Sequence, residues 1–332
     1  MKSSPDLSLK LNDIFSLLEA DLREVEVRLR ENTGSVFPLI DDINKYLHNS
    51  GGKRFRPALL LLCSKSCGSE DDLSIELSMV VELIHVATLV HDDIIDDAYF
   101  RRGRSSVNAK WGNQITVLMG DWLYMTSFHM ALKMRNFRVL DVLIDITRKM
   151  VEGELMQLEQ LGRPEISVEE HLEITRCKTA HLFSGCGRLG AILGGASPEK
   201  EEQLAAYGYS MGMAFQLIDD LLDYSSDEVT LGKPVLKDLE EGKTTLPIIY
   251  LLERAKPHEQ DFIREVIKGN KCTPDDKKRI MKLVRSYRTL EDVRNLASQY
   301  AERSSKAIAA LPKSIYREAL QRFPEFVIAR QK

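Results

Sequence analysis

Five cysteines in 332 residues are few, and their spacing leaves them little to do together. Cys63 and Cys67 stand one helical turn apart, but Cys177, Cys186 and Cys272 supply no second pair. No zinc spacing is complete, and an odd set suits no disulfide framework. Reduced thiols in a cytoplasmic protein are the expectation. Net charge is also small, −4, which gives no global attraction for nucleic acid. Nor do aromatics interleave with the basic residues as a single-strand platform requires, so no nucleic-acid partner is expected. The opening "MKSSPDLSLKLNDIF" has neither the apolar centre nor the small-residue cleavage site of a leader. No apolar run nears the ~20 residues that cross a bilayer, so no stable membrane anchor is expected. No stretch alternates with period two between turn signals, so strands are not expected.

What remains is helical periodicity in a soluble composition, 43% apolar and 29% charged. Apolar residues recur at three- and four-residue spacings through Leu7–Arg30, Leu73–Ile95, Ile115–Lys133, Val139–Leu161, Leu172–Leu193, Leu204–Tyr224 and Leu246–Leu252. Ser167 with Glu170 forms a capping box. Ser197-Pro198 and Thr273-Pro274 each read as an N-cap followed by proline at the first helical position. The polar interval Ser225–Gly242 reads as a loop over a site rather than a domain boundary, because apolar helices resume at once. The expected fold is one all-α domain over residues 1–332, a bundle of ten or more helices.

Two acidic clusters stand out. In "LVHDDIIDDAYFRRG" (Leu89–Gly103), Asp92 and Asp96 fall one turn apart on one helix face, with Asp93 rotated about 100° away. Like charges at that spacing repel unless something positive lies between them. A hard cation such as Mg²⁺ suits all-oxygen donors and shares its shell with water and phosphate. In "FQLIDDLLDY" (Phe215–Tyr224), Asp219, Asp220 and Asp223 repeat the D-D-x-x-D spacing inside an apolar helix. Carboxylates there are costly unless they face a cavity holding a cation. Basic groups accompany both clusters. "GGKRFRP" (Gly51–Pro57) sets Lys53, Arg54 and Arg56 beside two glycines; Arg101 and Arg102 follow the first cluster; Lys178-Thr179, Lys233 and Lys243 bracket the second. Arginine is the fitting group for bidentate phosphate contacts. His85 lies two turns before Asp92 on the same stripe.

Together with "GDWLY" (Gly120–Tyr124), "KTAHLF" (Lys178–Phe183) and "LGKPVLKDLEEGKTTLP" (Leu231–Pro247), these segments resemble the trans-type isoprenyl diphosphate synthases, and within them the long-chain, octaprenyl-like polyprenyl synthases. The resemblance implies an isoprenoid-synthase-type helical bundle around a central cavity. It implies repeated head-to-tail condensation of isopentenyl diphosphate onto an allylic diphosphate (farnesyl or geranylgeranyl), with ionisation assisted by about three Mg²⁺. Two ligands of about −3 each, roughly 7 Å apart, would repel by roughly 20 kcal/mol at an effective dielectric of 20. The crowded aspartates would therefore face metal, and the metal diphosphate.

By the same resemblance Asp92, Asp96 and Asp219 hold the ions. With Arg101, Lys178 and Lys233 they draw charge from the departing diphosphate, and Thr179 and Gln216 complete that pocket. Lys53, Arg56, His85 and Arg102 hold isopentenyl diphosphate, while Lys233 and Lys243 belong to the loop that closes over the site. The family usually shows glycine where this chain has Leu236, and often an acid in place of Lys237. The tail is expected to run along the helix of Asp92, past the small residues Ala87 and Thr88, to a C30–C50 product with C40 favoured. A polyprenyl chain of that kind suits a quinone side chain. A homodimer packed through helices near Ile115–Lys133 is implied as well. The rivals are the catalytic subunit of a two-component synthase, a short-chain C20 synthase, and a class I terpene cyclase; the last has no need of a second diphosphate pocket.

Overall fold

Helices begin where the sequence punctuates them. The Ser167 hydroxyl accepts from the Glu170 N–H while the Glu170 carboxylate accepts from the Ser167 N–H, and Thr273 with Asp276 repeats the arrangement ahead of Pro274. The computed structural model describes residues 11–49, 51–69, 72–101, 103–225, 235–269 and 272–330. In chain order the helices are α1 (Leu11–Leu17), α2 (Glu19–Asn32), α3 (Pro38–His48), α4 (Phe55–Ser66), α5 (Leu73–Ile95), α6 (Val107–Trp111), α7 (Asn113–Lys133), α8 (Phe137–Gln160) and α9 (Val168–Thr175). After a π-helical turn, Arg176–Ala180, come α10 (His181–Leu193), α11 (Pro198–Ser225), α12 (Lys237–Glu240), α13 (Leu246–Arg254), α14 (Pro257–Gly269), α15 (Pro274–Ser286), α16 (Thr289–Ala307) and α17 (Ile315–Ala329). The all-α expectation holds with one small correction. Strands β1 (Phe100–Arg101) and β2 (Arg104–Ser105) pair antiparallel, Arg101 opposite Arg104. Two-residue strands are too short to leave a period in the sequence.

The chain divides into two compact units. One comprises Met1–Asp145, Gly185–Ala205 and Ala310–Arg322; the other comprises Ile146–Ser184, Ala206–Ala309 and Phe323–Lys332. In the first, α5 is the spine, packed against α2, α4 and most extensively α7. Here a second expectation is corrected. The 23-residue α5 is long and apolar enough to cross a membrane, with mean hydropathy 1.8 in its most apolar window. Yet 67% of that window is buried within the fold, which is the condition of a core helix. The sequence hid this because Glu76, Glu82 and His85 interrupt the run. Glu82 is buried, and its charge is met by the Arg54 guanidinium.

The second unit has its own core, built from Tyr224, Leu236, Leu239, Ile248, Leu251, Ile263, Ile280 and Val284. Within it, close backbone approach is fixed by absent side chains. A Cβ on Gly212 of α11 would lie 2.7 Å from the Ala180 Cα, and one on Gly153 of α8 would lie 2.7 Å from the Cys177 Cβ. Both helices can therefore lie directly against the π-helical turn. Such turns are frequent at functional sites.

Candidate active site

In the first unit the acidic stretch ends a helix. Asp96 is the C-cap of α5, and its N–H still donates to the Asp92 carbonyl at 2.8 Å, so the two carboxylates do stand one turn apart. Asp92 and Asp96 are half-buried. Asp93 points elsewhere and is buried. The chain reverses through Asp97, whose φ is +47°, and the β1–β2 hairpin returns Arg101 so that its Nε donates to Asp93 Oδ1 at 2.5 Å. The turn is pinned by the Ser106 hydroxyl on the Ala98 carbonyl, and by the Tyr46 hydroxyl on the Ser105 carbonyl at 2.7 Å. Asp93 is thus the anchor of Arg101.

The glycine-rich basic loop divides its labour. Arg54 adopts φ +49° at the N-cap of α4, and its guanidinium pairs with Glu26 of α2 and Glu82 of α5. Arg54 holds three helices together. Pro57 then sits in the first turn of α4, where no N–H is needed. Lys53 is exposed and Arg56 half-buried. A cavity within this unit is lined by Gly51, Arg54, His85, Asp93 and Arg101 among others, so it brings His85 and Arg101 together.

Farther down α5, Ala87 is 0% exposed, whereas Thr88 is half-buried with its hydroxyl on the His85 carbonyl at 2.7 Å.

In the second unit the three aspartates of the D-D-x-x-D cluster part company. Asp219 is 46% exposed at its side chain and lies 3.1 Å from Arg330 Nη2. Asp220 is buried, accepting from Gln216 Nε2 at 2.9 Å and lying 3.2 Å from His171 Nε2. Gln216 Oε1 in turn accepts from the Thr179 hydroxyl at 2.8 Å. Asp223 accepts from the N–H groups of Lys237 and Asp238 at 3.0 and 3.1 Å. Burial raises its carboxyl pKa, opposed by those two N–H groups. Asp238 is raised much further, by burial first and then by the negative charges of Asp223 and Asp220. The three carboxylates differ in their surroundings: Asp220 and Asp223 accept from protein donors, and Asp219 lies against a guanidinium.

Lys178, in the π-helical turn, reaches Glu154 of α8 at 2.5 Å and also Gln157. Lys243 is held by Glu241 at 2.8 Å, which also takes Lys237. Leu236 has φ +57° and is 0% exposed. That backbone geometry explains why glycine would be the natural residue there; this chain offsets the strain by burying leucine. Arg102 and Lys233 lie outside the described residues.

The donor set fits a hard cation. Asp92 and Asp96 offer oxygen alone, and Arg330 already acts as a cation on Asp219. Among the described residues no three metal-ligating side chains converge.

Sequence reasoning missed Asp93, His171, Glu154, Gln157 and Arg330. Asp93 carried a signal, since it lies off the Asp92–Asp96 stripe and has an arginine eight residues on. The remainder are contacts across the sequence with no local pattern.

The chain has relatives along its whole length. Residues 37–284 match the polyprenyl synthetase family. The octaprenyl diphosphate synthase of Haemophilus influenzae is 36% identical over 313 residues, 94% of each chain. That of Escherichia coli is 34% identical, covering 98% of this chain and all of its own. A polyprenyl synthase from Caulobacter crescentus, solved in complex with calcium and isoprenyl diphosphate, superposes with a TM-score of 0.93 at 34% identity over 99% of this chain and 100% of that one. A decaprenyl diphosphate synthase from Rhodobacter capsulatus superposes at 0.92 and 34% identity, over 97% and 99% of the two chains.

Proposed function

This chain belongs to the polyprenyl synthetase family, and from that premise we propose that Asp92, Asp96 and Asp219 hold about three Mg²⁺ with an allylic diphosphate. The enzyme is a prenyltransferase of the long-chain trans-polyprenyl type. Its substrates on this reading are isopentenyl diphosphate and farnesyl or geranylgeranyl diphosphate, and its product lies between C30 and C50, C40 favoured. When bound there, Mg²⁺ would supply positive charge to a departing diphosphate.

The protein's own groups do the rest. Asp93 holds Arg101 where its guanidinium presents N–H donors to the leaving group. Lys178 and Lys233 add positive charge, and Thr179 with Gln216 shapes the same pocket. Lys53, Arg56, His85 and Arg102 hold the isopentenyl diphosphate, with Lys243 on the closing loop. The tail runs along α5 past Thr88 and Ala87. The whole chain works as one catalytic domain, in the cytoplasm. Leu118, Met125 and Leu132 recur every seven residues on α7 and are exposed, which supports pairing of two copies through that helix.

The observation that carries the reading is the spacing of Asp92 and Asp96 one turn apart on α5, together with the attraction of Asp219 for a positive group, here the Arg330 guanidinium. The deciding experiment incubates the purified chain with labelled isopentenyl diphosphate, farnesyl diphosphate and Mg²⁺, and resolves products by chain length. C40-centred product that vanishes on chelation is the expected result. Turnover that persists in excess chelator overturns the metal assignment.

A further inference from the structure

We propose that Gly120 is a specificity-determining residue: the space left by its missing side chain seats the His91 imidazole on α7 and keeps that ring out of the path of the tail. The inference rests on the reading that the tail runs along α5 past Thr88 and Ala87.

His91 directly precedes Asp92, and its ring is received by α7. Its Nε2 lies 3.1 Å from the Val117 carbonyl and 3.6 Å from Asp121 Oδ1, and its centroid is 5.9 Å from that of the Tyr124 ring. A carbonyl only accepts, so Nε2 carries the proton in that contact. Among these partners the ring lies directly on Gly120. A Cβ at this position would fall 2.2 Å from His91 Nε2, 2.4 Å from Cδ2 and 2.8 Å from Cε1. All three of these atoms belong to the imidazole and none to the backbone. A side chain at 120 therefore displaces the ring before it parts the helices.

Helical geometry says where a displaced ring goes. Around α5, His91 sits about 100° from Asp92, between Thr88 at about 40° and Ala87 at about 140° on the same side. Along the axis it stands roughly 4.5 Å from Thr88 and 6 Å from Ala87, on the Asp92 side of both. A helical side chain leans over the turn N-terminal to its own Cα, so the ring that would cover Thr88 and Ala87 is that of His91. One turn is about as long as an isoprene unit, about 5 Å, so a ring lying there narrows the path for units beyond the first.

The seat is separate from the exposed stripe of α7. Gly120 is buried, and it lies about 120–160° around the helix from Leu118, Met125 and Leu132. A change at 120 thus probes the tail path without touching the face assigned to pairing of two copies. A packing role for Gly120 and a specificity role also differ in what they predict. Looser packing slows every allylic substrate alike, whereas a narrowed path penalises the longer ones.

The test uses the full chain with Gly120→Ala, His91→Ala and the double variant His91→Ala/Gly120→Ala, each assayed at a temperature where unfolding curves show it folded. It measures kcat/KM for the first condensation with dimethylallyl, geranyl and farnesyl diphosphate, and the lengths of the final products. Gly120→Ala is expected to lower kcat/KM for farnesyl diphosphate at least about tenfold more than for dimethylallyl diphosphate, and to shorten the product. The double variant should return that ratio to within about threefold of the parent, because no ring is left to displace. His91→Ala alone should keep the parental ratio. If Gly120→Ala does not fold, His91→Trp, which outgrows the same seat, replaces it and is compared with His91→Ala.

Thr88→Tyr and Ala87→Tyr, run in parallel, separate the inference from the reading beneath it. Unchanged product lengths in both would remove the tail path and this inference with it. Shortened products there, beside a Gly120→Ala enzyme that slows all three substrates alike or whose ratio His91→Ala fails to restore, would overturn the inference alone.

Discussion

The Arg330 guanidinium lies 3.1 Å from the Asp219 carboxylate, with its carbon 4.4 Å from the centre of the Phe215 ring. A residue two positions from the end of the chain thus meets an acid of the second cluster. The ring and the carboxylate together hold the cation in a site where its side chain is only 13% exposed.

Arg330 and a metal ion would compete for Asp219. Arg330→Gln should therefore tighten Mn²⁺ binding in the presence of inorganic pyrophosphate by about three- to tenfold, equivalent to about 0.7–1.4 kcal/mol. Asp219→Asn should weaken the same binding. Electron paramagnetic resonance of free Mn²⁺ reads both, and an unchanged affinity in Arg330→Gln would show that the contact does not hold the acid.

Asp93 holds Arg101 through a bond of 2.5 Å. Asp93→Asn removes the charge while keeping the shape, so the hairpin loses its anchor. We expect a stability loss of about 1–2 kcal/mol, because Arg101 is partly exposed and regains water. The fall in kcat/KM for the allylic substrate should be larger, at least tenfold, equivalent to about 1.4 kcal/mol or more. Steady-state kinetics beside urea unfolding separates the two effects.

Chain length has two probes that differ in their surroundings. On α5, Thr88 lies about 40° from Asp92 around the helix and Ala87 about 140°. Thr88→Tyr should shorten the product with little change in melting temperature. Ala87→Tyr should shorten it too, but its enclosed site predicts an added stability cost of about 1–3 kcal/mol. Mass spectrometry of the dephosphorylated products is the measurement, and unchanged lengths in both would remove the tail from this face of α5.

Leu236 combines a left-handed backbone with complete burial. Leu236→Gly relieves about 1 kcal/mol of strain but forfeits about 1.5–3 kcal/mol of apolar burial and leaves a cavity. The net expectation is a loss of about 2 kcal/mol, read by denaturant unfolding. A gain in stability would mean that the strain outweighs the packing.

Asp238 gives a pH signature. Its folded pKa is raised by burial and by neighbouring negative charge, so the folded chain holds this proton more tightly than the unfolded chain. Its contribution to stability is full below the unfolded carboxylate value of about 4 and is lost as pH rises through the folded value. Asp238→Asn should therefore stabilise the protein at pH 8 more than at pH 5, and thermal unfolding at the two pH values decides.

The sequence by itself determined the helices, their caps and the groups from which the site is made. Those follow from periodicity, capping chemistry and the spacing of carboxylates along one helix, all of which are local. Tertiary structure decided which donors several of these acids meet. Asp92, Asp93, Asp219, Asp220 and Asp223 look alike in a sequence. Arg101, Arg330, His171 and the N–H groups of Lys237 and Asp238 tell four of them apart. Each of these donors reaches its acid across at least eight intervening positions or from a different element. The assignment depends on where folding brings a buried charge its partner, and no spacing along the chain records that.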